Sequence, residues 1–148
     1  MSAMTSLPPG LILIVGAALV PLLRGHWRST YMLALPVLSF LHLLSLPHGS
    51  FIEPAFFDME LAVVRVDRLS LVFGYIFHIA ALLGVVYALH VREAWQHVAA
   101  LAYAGAAIGA VFAGDLVTLF VYWEATAVTS VFLILARRTP QAFAASMR

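Results

Sequence analysis

Cysteine is absent from the 148-residue chain, which excludes disulfides, cysteine-ligated metals and thiol chemistry. Lysine is absent too, so every fixed cation is one of eight arginines. Charge of either sign is scarce, at 10% of residues, where a soluble domain carries about a quarter. Nor is there a basic patch for nucleic acid, a metal-ligand spacing, a glycine-rich phosphate loop or a nucleophile triad. Neither catalytic residues, a cofactor nor a nucleic-acid partner is therefore expected. What fills the chain is apolar: 64% of residues are hydrophobic and mean hydropathy is +1.00. These values describe an all-α integral membrane protein whose first partner is the lipid bilayer.

A helix needs about 20 residues to span hydrocarbon. Five stretches approach this, at Leu7–Leu23, Tyr31–Leu46, Leu69–Leu89, Trp95–Phe112 and Leu116–Ala136. Pro8 and Pro9 suit the first turn of the first, and Pro36 is a candidate kink in the second. No positive charge precedes the first stretch, as a signal peptide would require, so it reads as a retained helix. Between the second and third lies a connector, Pro47–Arg68, whose partial apolar/polar alternation suits a short hairpin or extended segment. No repeat or linker divides the chain, and residues 1–148 read as a single transmembrane domain.

Orientation follows from the arginines. With the N-terminus outside, Arg24, Arg28, Arg92, Arg137, Arg138 and Arg148 fall on the cytoplasmic side, and only Arg65 and Arg68 fall outside. This positive-inside bias predicts an N-out, C-in topology with an extracytoplasmic connector. The turn at Ala113-Gly-Asp115 is tight, with Asp115 a candidate N-cap. The run of alanines and glycines from Ala99 to Ala110 predicts a close-packing fourth helix.

Glu124 lies near the middle of the fifth stretch. A carboxylate at mid-membrane costs roughly 2.5–3.5 kcal/mol on insertion scales and marks a functional position by default. On a helical wheel Glu124 shares a face with Val117, Phe120, Val121, Ala127, Val128 and Val131. The opposite face collects Asp115, Thr118, Tyr122, Thr126, Thr129 and Ser130. Any partner of Glu124 must therefore come from another helix. Desolvation favours a neutral carboxyl, and a neutral acid that ionises when a cation or proton carrier approaches can serve a proton relay. The competing reading is a protonated Glu124 that glues helices together. His78 and His42 lie within spans, each either a relay group or a packed, hydrogen-bonded histidine. His26, His48, His90 and His97 lie near the interfaces. The Thr/Ser stripe suits interhelical hydrogen bonding or a water path, and Tyr122 and Trp123 suit packing.

Two stretches carry a resemblance. Phe112-Ala-Gly-Asp-Leu-Val-Thr-Leu-Phe-Val-Tyr-Trp-Glu124, followed by Ala-Thr-Ala-Val-Thr-Ser-Val-Phe-Leu-Ile134, resembles the fifth helix of the antiporter-like subunits. These are found in Mrp-type Na⁺/H⁺ antiporters and in respiratory complex I. Val66-Asp-Arg-Leu-Ser-Leu-Val-Phe73 resembles the opening of that family's third helix. The order of features matches the family's N-terminal third across the whole chain, most closely in the D-type branch of the Mrp antiporters. The resemblance implies a component of a monovalent cation/proton-translocating complex. It makes Glu124 a proton-pathway residue, His78 a secondary candidate, and protons with Na⁺ the candidate ions. In the family the corresponding glutamate pairs with a lysine on the seventh helix. This chain has no lysine and stops at Arg148, so the lysine and the later, broken helices would come from another membrane protein of the complex. Three accounts stay open: a split subunit completed by a second chain, a truncated product, or a remnant recruited as a non-transporting assembly subunit of another bacterial complex, respiratory or photosynthetic.

Overall fold

The computed structural model describes residues 7–56 and 59–136. Helix α1 (Pro9–Ala17) is followed by a 3₁₀ turn, Val20–Leu22, then by α2 (His26–Ser45). An antiparallel hairpin, β1 (Gly49–Phe56) and β2 (Met59–Val66), leads into α3 (Arg68–Ala88), α4 (Ala94–Phe112) and α5 (Leu116–Leu135). The fold is thus mainly helical, and three helices, α3, α4 and α5, are long and apolar enough to cross a membrane among the described residues.

The first apolar stretch does not form one continuous α-helix. Pro21 has no backbone N–H and cannot bond the Ala17 carbonyl, so α1 ends at Ala17 and the chain tightens into the 3₁₀ turn. The second helix is longer than its apolar run. It starts at His26, entered through Gly25 at φ +59°, a region open to glycine at little cost. It also runs on through the buried Pro36.

Helix α4 is the centre of the bundle. Of its membrane-length window 44% is buried, against 22% for α3 and 11% for α5, and it packs on α1, α3 and α5. Its contact with α1 is backbone to backbone. A Cβ placed on Gly10 would collide with the Gly105 carbonyl, and one on Gly105 would lie 2.6 Å from the Gly10 oxygen. Small residues permit this approach. Around it the core closes with Leu13, Val20, Met32, Leu43, Leu101, Ile108 and Phe112.

Three side chains of α2 fasten the first segment by its carbonyls. Tyr31 donates to Gly16 at 3.0 Å, Ser39 to Pro9 at 2.7 Å, and the His42 Nε2 group to Leu7 at 2.9 Å.

The connector forms the expected hairpin, with its register interrupted between Phe51 and Glu53 and again between Glu53 and Phe56. In β2, Val64 and Val66 are buried while Arg65 between them is exposed, the period-two pattern of a strand with one covered face. The hairpin sits at the bundle end where α3 and α5 begin.

Candidate functional site

The helix carrying Glu124 is positioned from its start. Asp115 is the N-cap of α5: its carboxylate accepts the Thr118 backbone N–H at 2.8 Å and the Thr118 hydroxyl at 2.7 Å. Partial burial pushes the Asp115 carboxyl up, but the hydrogen bonds from Thr118 and the Val117 backbone outweigh it, and the group sits below the usual carboxylate range. Asp67 caps α3 through a reciprocal box with Ser70, each side chain meeting the other's backbone N–H at 2.8 Å. The Ser70 backbone bond, more than the neighbouring Arg65 (3.2 Å), holds the Asp67 carboxyl low.

From Asp115, α5 lies against α4 with Thr118 and Tyr122, its two buried residues. No other described part of the chain covers the far face. Phe120 is 62% exposed, Trp123 66% and Val128 55%, and Glu124 is exposed among them. The wheel's two faces are therefore the packed and the open side of the helix. Glu124 makes no hydrogen bond or ion pair with any described residue. Trp123, expected to pack, faces outward instead, because the seam with α4 passes one residue earlier at Tyr122.

The hydroxyl stripe also differs from expectation. Thr126 donates to the Trp123 carbonyl, Thr129 to Ala125 and Ser130 to Ala127, at 2.6–2.7 Å. These bonds close on their own helix and not across to a neighbour.

His78 occupies a different setting. It is 2% exposed, at the middle of α3, in contact with the Phe40 ring. Ser39 on α2 lies 2.8 Å from its Nε2, and the Gly74 carbonyl 2.6 Å from its Nδ1. His42 is engaged with Leu7. His97 donates to the Val91 carbonyl at 2.9 Å and His90 to Tyr87 at 2.8 Å, both fastening the α3–α4 connection. The structure does not bring Glu124 and His78 together: α4 packs between their helices, and the two side chains point to different surroundings. Their depths are similar, about 12 Å and 15 Å along helices that start at the same end, at about 1.5 Å per residue.

Ser39 was not visible as a site residue in the sequence. Its partners lie 30 and 39 positions away, and the one cue was its place three residues before His42 in an apolar helix. Among the described residues no cluster of three or more potential metal ligands occurs.

Fold and site define a helical protein with membrane-length helices, one of which presents a carboxyl group on an apolar face that no other described residue covers. Comparison with protein-family models, with curated proteins and with solved structures finds no match.

Proposed function

We propose that this protein is a component of a monovalent cation/proton-translocating complex of a bacterial inner membrane, with Glu124 as its proton carrier. One observation carries the reading: a carboxyl group midway along a membrane-length helix, on a face no other described part of the chain covers and without a partner there. Exposing such a group to lipid costs roughly 2.5–3.5 kcal/mol. A neighbouring subunit that supplies a cationic or hydrogen-bonding group would remove that cost and complete the site. The resemblance of residues 66–73 and 112–134 to the antiporter-like subunits points the same way, to the D-type branch of the Mrp antiporters. In this reading the chain has five membrane helices, N-out and C-in. The two flanking apolar helices are shorter (α1) or more polar (α2) than the other three. Arg24, Arg28 and Arg92 lie at the end opposite the hairpin, and Arg65 and Arg68 at the hairpin end, which supports the orientation. Arg137, Arg138 and Arg148 lie outside the described residues. The chain has no catalytic turnover or cofactor of its own, and His78 is a secondary relay candidate.

A second reading is favoured by the breadth of the open face of α5, from Leu116 to Phe132. A non-transporting assembly subunit would use it to pack against a respiratory or photosynthetic complex, with Glu124 as an interhelical hydrogen-bond donor. One substitution separates the two. Under the transport reading Glu124→Gln leaves assembly intact and abolishes coupled cation/proton exchange in membrane vesicles. Retained exchange in Glu124→Gln, with assembly lost only in Glu124→Leu, would establish the assembly role.

A further inference from the structure

The contacts of His78 form a row that crosses three helices: the Gly74 carbonyl, the imidazole, the Ser39 hydroxyl and the Pro9 carbonyl. Successive separations are 2.6, 2.8 and 2.7 Å. Both ends are carbonyl oxygens, which only accept. Three hydrogen bonds in series need three protons. A neutral imidazole supplies one and a serine hydroxyl one, so the row is a proton short. With the proton on Nδ1 the imidazole donates to Gly74, and the hydroxyl can donate to Pro9 or to Nε2 but not to both. With the proton on Nε2 the Nδ1 lone pair faces the Gly74 carbonyl. In either tautomer one pair of acceptors stays face to face at 2.6–2.8 Å, at a site where Ser39 is 0% exposed. An imidazolium resolves the conflict in a single direction, Nδ1–H to Gly74, Nε2–H to Ser39 Oγ, and Oγ–H to Pro9.

We propose that His78, Ser39 and the Pro9 carbonyl form a buried proton-binding site whose occupancy fastens α1 to α2 and α3. The ligand is a proton from water. A hydronium ion gives it to the Nε2 lone pair: one N–H bond forms, one hydronium O–H bond breaks, and water is released. The inference does not rest on the role of Glu124.

The surrounding groups leave His78 as the one that titrates in this row. Among the described residues α1 carries no ionisable side chain. On α2, His42 and Tyr31 are engaged with the Leu7 and Gly16 carbonyls, and Arg28 lies near the helix start. On α3, Tyr75 packs edge-on against Phe40, with Arg68 at the first turn and Tyr87 at the last. On α4, His97 is bonded to Val91 at the far end, and Tyr103 is half-exposed. None of these four helices carries a carboxylate. Burial works against the cation. The charge-assisted hydrogen bonds, each roughly twice as strong as a neutral one, work for it.

The test is nitrogen NMR of the full chain, labelled at its histidine ring nitrogens in lipid nanodiscs, from pH 4 to 8, with His78 assigned by its loss in His78→Gln. The expected result is a change of both His78 nitrogens from the neutral pattern to the imidazolium pattern. Ser39→Ala should lower the midpoint by about one pH unit, a tenfold weaker affinity for the proton. Hydrogen exchange of α1 amides in the unsubstituted protein gives a second readout that does not depend on the variant folding. After correction for intrinsic rates, it should slow on the acid side of the His78 midpoint. His78 nitrogens that stay neutral throughout, a midpoint unmoved in a folded Ser39→Ala, or α1 exchange unchanged across the midpoint would each overturn the proposal.

Discussion

The backbone N–H of Gly114 donates to the Ala62 carbonyl at 2.9 Å, tying the turn between α4 and α5 to the second strand of the hairpin. A Cβ on residue 114 would lie 2.6 Å from that oxygen and 2.7 Å from the Ala62 Cβ. The hairpin is therefore held to the helices by a residue that has to be glycine. Through the adjacent Asp115 cap, the same turn sets where α5 begins.

Gly114→Ala should accordingly loosen the hairpin. The obstructing atom is backbone, which cannot swing aside, and overpacking of this kind costs about 1–3 kcal/mol. Limited proteolysis should cut within residues 49–66 faster in the variant. Equal rates would mean that the strand shifts without losing its seat.

The α1–α4 contact makes a contrasting pair of substitutions. Gly105→Ala drives a methyl group against Leu13, Ile14 and the Gly10 oxygen, and should lower stability by about 1–3 kcal/mol. At Gly84 in α3 nothing lies within 4 Å of the added Cβ. There the better helix propensity of alanine should leave stability unchanged or raise it by up to about 1 kcal/mol. Thermal unfolding in one detergent compares the two directly, and similar losses at both sites would contradict the close packing of α1 on α4.

The two helix caps make the hairpin end sensitive to acid. Asp67 and Asp115 both have carboxyls held below their usual range, so folding favours their ionised forms. Their contribution is fully present above the ordinary carboxylate value of about 3.9 and is lost as pH falls through the lower folded values. Thermal stability should decline on that acid limb. Asp115→Asn, which can still cap but does not titrate there, should flatten it. Asp115→Ala should cost about 0.5–2 kcal/mol at neutral pH. An acid limb unchanged in Asp115→Asn would assign the effect to other groups.

The sequence announced the long helices well where length and caps agreed. For α3, α4 and α5 the expected ends fall within one residue of those observed, and Asp115 marked the start of α5. The hairpin was readable from the partial alternation of the stretch Phe56–Asp67. The break after Ala17 was harder to see, because hydropathy is blind to the N–H that Pro21 lacks. The start of α2 was masked in the same way, by the polar His26–Thr30 turn. For Glu124 the wheel separated the open face from the packed one. What no periodicity could disclose were the carbonyl contacts of Tyr31, Ser39 and His42. These depend on which helices are neighbours, and every backbone carbonyl looks alike in a sequence.

The open face of α5 also predicts a chemical reactivity. A carboxyl group in an apolar setting reacts with a hydrophobic carbodiimide, and the O-acylisourea formed rearranges to a stable N-acylurea. In the isolated chain, solubilised in mild detergent, Glu124 is exposed among Phe120, Val121 and Val128 and should be the preferred site of labelling. Asp67 and Asp115, engaged in hydrogen bonds at the helix ends, should be labelled far less. If a companion protein completes the Glu124 site, the native complex should be largely protected there, and dissociating it should restore labelling. Mass spectrometry of the modified peptide gives both readings. Equal labelling of Glu124 before and after dissociation would mean that it faces lipid in the assembled state, and the partner-completed proton site would fail.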